Sequence, residues 1–344
     1  MRTINVGKMI GDSKVNRFFI IVFMVGMSIL LFDGYDQGVY GVALPTLMMD
    51  TGISAKVFGL IGSNTLYGMM IGGIVAGMLA DRIGRKKVLI LGIIVYALFT
   101  GLMGFGKSAA FFSVCRIIAG AGLAGVVPIT VALLTEYSPF VHRSKLVTIS
   151  TLGIPIGTMI SALIGMGILP VYGWRPMFWI GFIPLIFVVF VSFSIPESMD
   201  RLIKYNKLEK ISETLTKVDP AYIPAQEDKY VVDSGNLNQA PFLSLFKNGL
   251  VQKTVLFWIM FAMVFFTHYG IITWLPKLMV QAGYPLTNSL MLLFFMGSGV
   301  YGIISLVYLI VTLNYANSFR ATGLGWTSAM GRFGGSFGPL VGGY

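Results

Sequence analysis

The sequence predicts an all-α protein that crosses a lipid bilayer many times. Hydrophobic residues make up 56% of its 344 residues and charged residues only 11%, whereas soluble domains average roughly 45–50% and 25%. Most charges lie in short segments between apolar runs of about 20 residues, the length that a helix needs to span a bilayer. The formal net charge of +11 therefore does not predict a nucleic-acid partner, because the cations occupy loops between spans.

One short basic loop organises the first part of the chain. It joins the apolar runs Val57–Ala80 and Val88–Gly106, so two spans are predicted to form a hairpin. A glycine in the loop permits the reversal because it reaches positive φ without steric cost. The motif residues are Gly77, Asp81, Arg82, Gly84, Arg85, Lys86 and Lys87. A generic basic hairpin loop is the alternative interpretation.

The chain divides into three regions. Residues 1–196 are predicted to form an N-terminal six-helix bundle, 197–253 a central cytoplasmic loop, and 254–344 a partial second bundle. The six spans cover about Phe18–Met48, Val57–Ala80, Val88–Gly106, Ala110–Thr135, Leu146–Leu169 and Met177–Ile195. Met199–Lys217, early in the polar region, is predicted to form an amphipathic surface helix.

The distribution of cations predicts the orientation. With the N-terminus inside, nineteen Lys and Arg residues fall in inner segments and four in outer loops, as the positive-inside rule requires. The chain shows no cleavable signal pattern. Cys115 lies within an apolar run and cannot form an internal disulfide. We expect a multi-pass protein of the cytoplasmic membrane with a cytoplasmic N-terminus.

Two acids interrupt the first span. Asp33 and Asp36 are three residues apart, on one helical face, and Asp33 lies about 24 Å along a helix from Arg17 at ~1.5 Å per residue. This distance predicts the outer half of the bilayer. A carboxylate there is unfavourable unless it faces water, a cation or a proton, so these acids are candidates for proton coupling. Alternatively, they cap a broken helix at the interface.

Other charges within spans are further candidates. Arg116 stands about nine residues into the fourth span, where its planar fork suits a carboxylate of a substrate or of the first span. Glu136, near Arg143, is predicted to be a gate or a structural ion pair. His268 is either a proton-sharing group or a neutral, hydrogen-bonded histidine. Arg332 is expected to face the cavity or the inner gate.

The motif Gly77–Lys87 resembles the signature loop between the second and third helices of the major facilitator superfamily. Asp33-Gly-Tyr-Asp36, Ala43-Leu-Pro45, the glycines after Arg116 and Trp274-Leu-Pro276 are similar to the aromatic acid:proton symporter family. This resemblance implies proton-coupled import of a benzoate-like or hydroxybenzoate-like anion. It further implies Asp33 and Asp36 for proton coupling and Arg116 for the substrate carboxylate. Ring-stacking surface would come from Tyr35, Tyr67, Phe265, Tyr269 and Trp274. Nicotinate and sugar-acid carriers share much of the pattern and remain alternatives.

The second half departs from the family pattern. A span at about Val255–Leu275 is followed by one apolar run, Leu290–Asn314, and then by an Arg320 motif that resembles the start of helix 11. We expect helix 8 to be joined to helix 10 around Leu293–Ile303 and helix 12 to be lost. This gives about nine spans in a major facilitator fold with an incomplete C-terminal bundle. A deleted fragment without transport activity is the alternative.

The sequence favours a transporter over two other classes. One Cys and two distant His residues form no evident metal or nucleophile cluster, so we predict no enzyme activity, no metal and no cofactor other than the proton gradient as driving force. A sensor would be expected to have an added soluble domain. The predicted partners are a small organic anion and the lipid bilayer, and the chain is expected to be monomeric.

Overall fold

The computed structural model describes residues 2–225, 228–231, 245–246, 250–315 and 317–344, without the side chains of 297–298 and 317–321. Within these residues, eight helical segments are long and apolar enough to cross a membrane. Each corresponds to a predicted span. The Arg320 side chain lies outside the described residues.

The chain begins with strand β1 (Thr3–Asn5) and helix α1 (Val6–Asp12), followed by the 35-residue helix α2 (Arg17–Thr51). Asn16 caps α2 because its side-chain oxygen accepts hydrogen bonds from the first backbone N–H groups. The helix runs without a break through both acids, so the interpretation that they cap a broken helix is wrong. Sixteen residues of α2 precede Asp33 and eighteen follow it. Asp33 is therefore near the middle of the helix.

The predicted hairpin is confirmed. Helices α3 (Ala55–Ile83) and α4 (Arg85–Met103) are separated by Gly84 alone, whose φ is 103°. A side chain at this position would be strained by the positive φ and would also collide with the Glu197 carboxylate. Glycine is therefore required here for both reasons.

The next three predicted spans are confirmed, although each consists of two helical pieces. They are α5 (Ala109–Leu123) with α6 (Val126–Glu136), α7 (Arg143–Thr151) with α8 (Gly153–Tyr172), and α9 (Arg175–Trp179) with α10 (Ile183–Ser194). Helix α8 packs closely on α2, where Gly34 and Gly157 each face backbone of the other helix. This contact fixes how α2 presents its acids to the rest of the bundle.

The central region contains short elements. Helices α11 (Met199–Lys204) and α12 (Leu208–Val218) replace the single surface helix predicted over Met199–Lys217. Between them Asn206 has φ 50°, which ends the first helix. Strand β2 (Lys229–Val231) pairs in parallel with β1. These elements lie at the end of the bundle where α2 begins, together with the α3–α4 turn; we call this end the basic face.

The second part of the described chain contains α13 (Val251–Gln281), α14 (Leu286–Asn314) and α15 (Asn317–Gly342). These three helices match the last three predicted spans. Helix α13 packs against both α14 and α15. The first bundle meets them along three lines: α3 against α15, α8 against α14, and α2 against α13. A site between the bundles is therefore bounded by α2 on one side and α13 on the other.

Candidate functional site

A small cavity lies where the two groups of helices meet. Its volume is about 20 Å³, and roughly 10–15 Å³ is enough for one water molecule. The polar residues that line it are Gln37, Tyr40, Thr65, Arg116, Tyr269 and Thr273. The cavity is nearly closed, so an organic ligand requires the helices to separate further.

Arg116 and Asp36 form the charged centre of this site. The Arg116 Nη1 lies 3.8 Å from the Asp36 Oδ2, and the two side chains are 5% and 2% exposed. The guanidinium carbon also stands 4.6 Å from the centre of the Tyr40 ring. The other Asp36 oxygen accepts a hydrogen bond from Thr100. These contacts hold Arg116 by charge and by the ring face rather than by hydrogen bonds.

Several buried polar atoms of this ion pair have no hydrogen-bond partner among the described residues. They are the Arg116 Nε and Nη1 and the Asp36 Oδ2. Buried polar groups are normally satisfied, and each exception requires an explanation. Because guanidinium N–H groups only donate, the free positions at Arg116 suit an anionic acceptor.

Asp33 belongs to a chain of polar contacts that reaches α14. Its Oδ2 accepts a hydrogen bond of 2.7 Å from Gln37, and the Gln37 Oε1 accepts one of 3.2 Å from the Tyr301 hydroxyl. The Tyr301 hydroxyl is also 3.5 Å from the Thr158 hydroxyl. The Asp33 Oδ1 has no partner among the described residues. Gln37 and Tyr301 thus connect the Asp33 carboxylate to α14 in the opposite bundle.

The predicted aromatic residues separate into two groups. Tyr269 lines the cavity, and the ring of its neighbour His268 lies 5.0 Å from the Tyr269 ring and 4.8 Å from the Tyr301 ring. Phe265 lies next to Tyr269 at 6.1 Å. These rings, all on α13 and α14, form an aromatic wall on the side of the site opposite α2.

Of the five predicted aromatics, Tyr269 is the one that lines the cavity, and the three that lie outside the aromatic wall do not line it. Tyr35 points into the first bundle and donates a hydrogen bond to the Met177 carbonyl. Trp274 donates one of 2.7 Å to the Pro339 carbonyl and is 2% exposed. Tyr67 is half-buried and has no hydrogen bond within the described part of the chain. The hydroxyl of Tyr35 and the indole N–H of Trp274 are therefore already hydrogen-bonded within the protein.

Glu136 lies in an ion pair at the basic face, and its partner differs from the predicted one. It pairs with Arg85 at 3.2 Å and accepts hydrogen bonds from the Ser198 hydroxyl and the Met199 N–H. Arg143 instead donates to the Ser138 carbonyl and lies over the Phe140 ring. The α3–α4 turn brings Arg85 across to the end of α6, which the spacing along the chain did not reveal.

The rest of the signature loop lies at the surface of the basic face. Asp81 and Gly77 are exposed, and Asp81 forms no ion pair or hydrogen bond with described residues. The Arg82 carbonyl accepts a hydrogen bond from Arg201, and the Lys86 Nζ donates to the Ser192 carbonyl. These contacts attach the loop to the start of the central region.

Arg332 lies on the half of α15 that faces α3. Its Nη1 is 3.7 Å from the point where a Cβ on Gly73 would stand. The side chain is half-buried. It thus faces the line along which α15 and α3 meet.

The bundles are closed against each other on the side away from the basic face. The Ser63 hydroxyl donates a 2.5 Å hydrogen bond to the Ser336 carbonyl across α3 and α15. Gly41 faces the Ile272 carbonyl so closely that a Cβ would collide with it. These contacts block access to the site from that side.

Two groups of membrane-crossing helices with a charged site between them define a secondary transporter. The chain belongs to the Major Facilitator Superfamily, whose profile matches residues 26–314. This membership identifies it as a transporter rather than an enzyme.

Similar proteins agree with this placement. The benzoate transport protein of Acinetobacter baylyi is 35% identical, with 100% of this chain and 87% of that protein covered. The 4-hydroxybenzoate transporter PcaK of the same organism is 28% identical, with 97% and 86% covered. A crystal structure of a D-xylose–proton symporter matches with a TM-score of 0.70 at 16% identity, covering 94% of this chain and 89% of that one. That likeness shows the shared fold.

The first of these alignments also bears on the length of the chain. It extends over 404 positions and includes the whole of this chain, which has 344 residues. The relative therefore has residues at internal positions where this chain has none.

Proposed function

We propose that the protein couples the entry of a small aromatic carboxylate, of the benzoate or hydroxybenzoate class, to the entry of a proton. The observation that supports this most is Arg116, a buried cation with unused N–H groups beside an aromatic wall. A carboxylate would take the free N–H positions in charge-assisted hydrogen bonds. Its ring would lie against Tyr269 and Tyr301. The relatives that transport benzoate and 4-hydroxybenzoate support the same substrate class.

The two acids supply the coupling in this proposal. A proton on Asp36 removes the negative charge next to Arg116 and frees the guanidinium for the substrate anion. A proton on Asp33 changes its hydrogen bond to Gln37 and so the contact with Tyr301. Both buried acids favour the neutral form where no cation or water compensates the charge. Substrate and proton would therefore bind together, with no cofactor required.

The orientation follows from the charges. We place the basic face in the cytoplasm, because cytoplasmic loops of membrane proteins are enriched in Lys and Arg. The contacts between Ser63 and Ser336 then close the outer side, and the site would open inward. The protein would act as a monomer in the cytoplasmic membrane.

A second possibility has its own support: a chain that binds substrate but does not complete the transport cycle. Helix α14 packs on α8 through its first half and continues as one helix to the loop before α15. We infer that it joins the start of one family helix to the end of a later one, around 293–303. The internal positions missing from the alignment with the benzoate transport protein support this inference. Alternating access requires two complete bundles that rock against each other.

One experiment separates these proposals. The purified chain is reconstituted in liposomes, and [14C]benzoate uptake under an imposed proton gradient is compared with benzoate binding in detergent. Binding with uptake that an uncoupler abolishes supports the symporter. Binding without uptake above empty liposomes supports the incomplete cycle. Absence of binding would contradict the substrate assignment itself.

A further inference from the structure

A second site lies far from the central one, on the basic face. A cavity on this face has a volume of about 860 Å³. Its walls are the ends of α2, α4 and α10 together with α11 and α12. This volume is within the range of roughly 300–1,000 Å³ that is typical of ligand pockets. Nothing in the proposed transport step uses it.

The cavity is strongly basic. Four of its cations have no hydrogen-bond or ion-pair partner within the described ranges: Arg17, Lys87, Lys207 and Lys210. Its two carboxylates are already engaged. Glu213 pairs with Lys217 at 2.7 Å, and Glu197 accepts hydrogen bonds from backbone N–H groups. Several like charges around one space repel one another, and an anion would relieve that repulsion.

One wall of the cavity is apolar and continues onto the outer surface of the spans. Phe18 and Ile21 begin α2, Ile90 lies in the first two turns of α4, and Phe193 ends α10. Phe193 is 86% exposed. These residues are at the ends of membrane-crossing helices, so their exposed faces meet lipid near the headgroup layer. The cavity thus combines free cations with a wall that suits hydrocarbon.

We propose that this cavity binds the phosphate headgroup of an anionic phospholipid, with the upper part of an acyl chain along Phe193 and Ile21. The cations on α4 and α12 would hold the phosphate, as clustered Lys and Arg do beside membrane-crossing helices. A free phosphate ion would use the cations but not the apolar wall. The bound lipid would join the central region to the first bundle, because both contribute to the same cavity.

The test uses the full-length chain in detergent, with bound lipid measured by native mass spectrometry. Dioleoyl phosphatidylglycerol and dioleoyl phosphatidylcholine are titrated separately, and phosphatidylglycerol is titrated again with inorganic phosphate present. The variant Lys87→Gln/Lys207→Gln/Lys210→Gln removes three free cations of the cavity. The variant Lys14→Gln/Lys204→Gln/Lys253→Gln removes three cations that do not line it and has the same net charge.

We expect wild type to retain phosphatidylglycerol over phosphatidylcholine, and the cavity variant to lose about tenfold in apparent affinity. The control variant should stay within about twofold of wild type. Equal losses in both variants would show general surface attraction and overturn the proposal. Displacement of phosphatidylglycerol by millimolar phosphate would assign the cavity to a free anion and also overturn it. If the melting curve shows that the cavity variant is unfolded, Arg17→Gln is used in its place. Unchanged retention of phosphatidylglycerol by Arg17→Gln would then contradict the site.

Discussion

Two buried acidic sites in this protein differ in how completely their oxygens are satisfied. At the basic face, both Glu136 oxygens accept hydrogen bonds, one of them from the cation Arg85. At the centre, Asp33 and Asp36 each have one oxygen without a hydrogen bond from the described residues, and that oxygen of Asp36 lies 3.8 Å from Arg116. All three acids lie on or at the end of membrane-crossing helices, and Glu136 is the most exposed of them, with 19% of its side chain accessible against 2% for Asp36.

From this difference we propose which acids maintain the fold and which take part in transport. A fully satisfied buried group is stable in one arrangement, and any change leaves a partner unpaired. An incompletely satisfied group gains from a ligand or a proton that the resting protein lacks. By this criterion we propose that Glu136 is structural and that Asp33, Asp36 and Arg116 take part in coupling.

The largest expected effect is on proton binding at the centre. Near neutral pH, benzoate binding to wild type should take up about one proton per molecule, because an acid that becomes neutral removes the charge beside Arg116. In Asp33→Asn or Asp36→Asn the amide binds no proton, so the stoichiometry should fall toward zero in at least one variant. Proton release or uptake is measured with a pH dye in weakly buffered detergent.

The exposed Asp81 provides the control for this measurement. Asp81→Asn makes the same chemical change at a surface position and should leave the proton stoichiometry unaltered. If both central variants still take up a proton with benzoate, the assignment of coupling to these two acids is wrong.

The next effect is on stability at the basic face. Glu136→Ala removes a charged acceptor from Arg85, Ser198 and the Met199 N–H, which should lower the free energy of unfolding by about 2–3 kcal/mol. Benzoate affinity of the folded fraction should change by less than about twofold, since Glu136 is not at the central site. Denaturant titration and isothermal calorimetry measure the two quantities. If Glu136→Ala loses benzoate affinity while its free energy of unfolding is unchanged, Glu136 belongs to the binding machinery and the comparison with the central acids is wrong.

A smaller effect is expected on the closed side of the molecule. Gly41→Leu places a side chain against the Ile272 carbonyl, and overpacking of this kind should shift the protein toward an open outer side. In a Cys115→Ser background, labelling of a cysteine at position 63 should accelerate about tenfold. Gly167→Leu is the control, because no heavy atom lies within 4 Å of a Cβ at Gly167. Equal labelling rates in Gly41→Leu and Gly167→Leu would contradict the claim that the contact of Gly41 with Ile272 closes this side.

The smallest effect concerns pH and the link between the N-terminus and the central region. Hydrogen bonds from Arg2, the nearer at 3.0 Å, lower the pKa of Asp228 to about 2. Its contribution to stability is therefore complete above about pH 4, the unfolded value, and is lost as the pH falls toward 2. The protection of the β1 amides, measured as their hydrogen-exchange rate relative to an unstructured chain at the same pH, should fall over this window in wild type. In Asp228→Asn the β1 amides should already be poorly protected at pH 6. If their protection in wild type does not change with pH, the link between Asp228 ionisation and the stability of β1 is wrong.

The spans were predictable because apolar length and the glycine of the α3–α4 turn are local properties. Asp33, Asp36 and Arg116 were also recognisable, since a charge inside an apolar run is unfavourable and therefore conspicuous. The structure brings Asp36 and Arg116 together and gives Asp33 a separate partner. That division depends on the packing around α2, which places Arg116 beside Asp36 and Gln37 beside Asp33.

Other parts of the site were not accessible from the sequence. Gln37, Tyr40, Thr100 and Tyr301 are neutral polar residues, which are common in membrane helices and give no signal by charge. Tyr35 is an aromatic residue between the two acids and so was predicted to bind substrate. In the structure its side chain points into the first bundle, and this direction depends on how α2 packs. The pairing of Glu136 with Arg85 rather than Arg143 depends on how α4 and α6 meet in three dimensions.

The central claim is that unsatisfied N–H groups mark Arg116 as the anion-binding residue, and one matched pair of variants tests it directly. Arg116→Lys and Arg85→Lys keep the charge and remove the guanidinium fork, at the incomplete and the complete site respectively. Calorimetry of purified protein should show benzoate affinity reduced about thirtyfold or more in Arg116→Lys, as expected for the loss of charge-assisted hydrogen bonds. Arg85→Lys should bind within about twofold of wild type. Equal affinities in the two variants would contradict the claim.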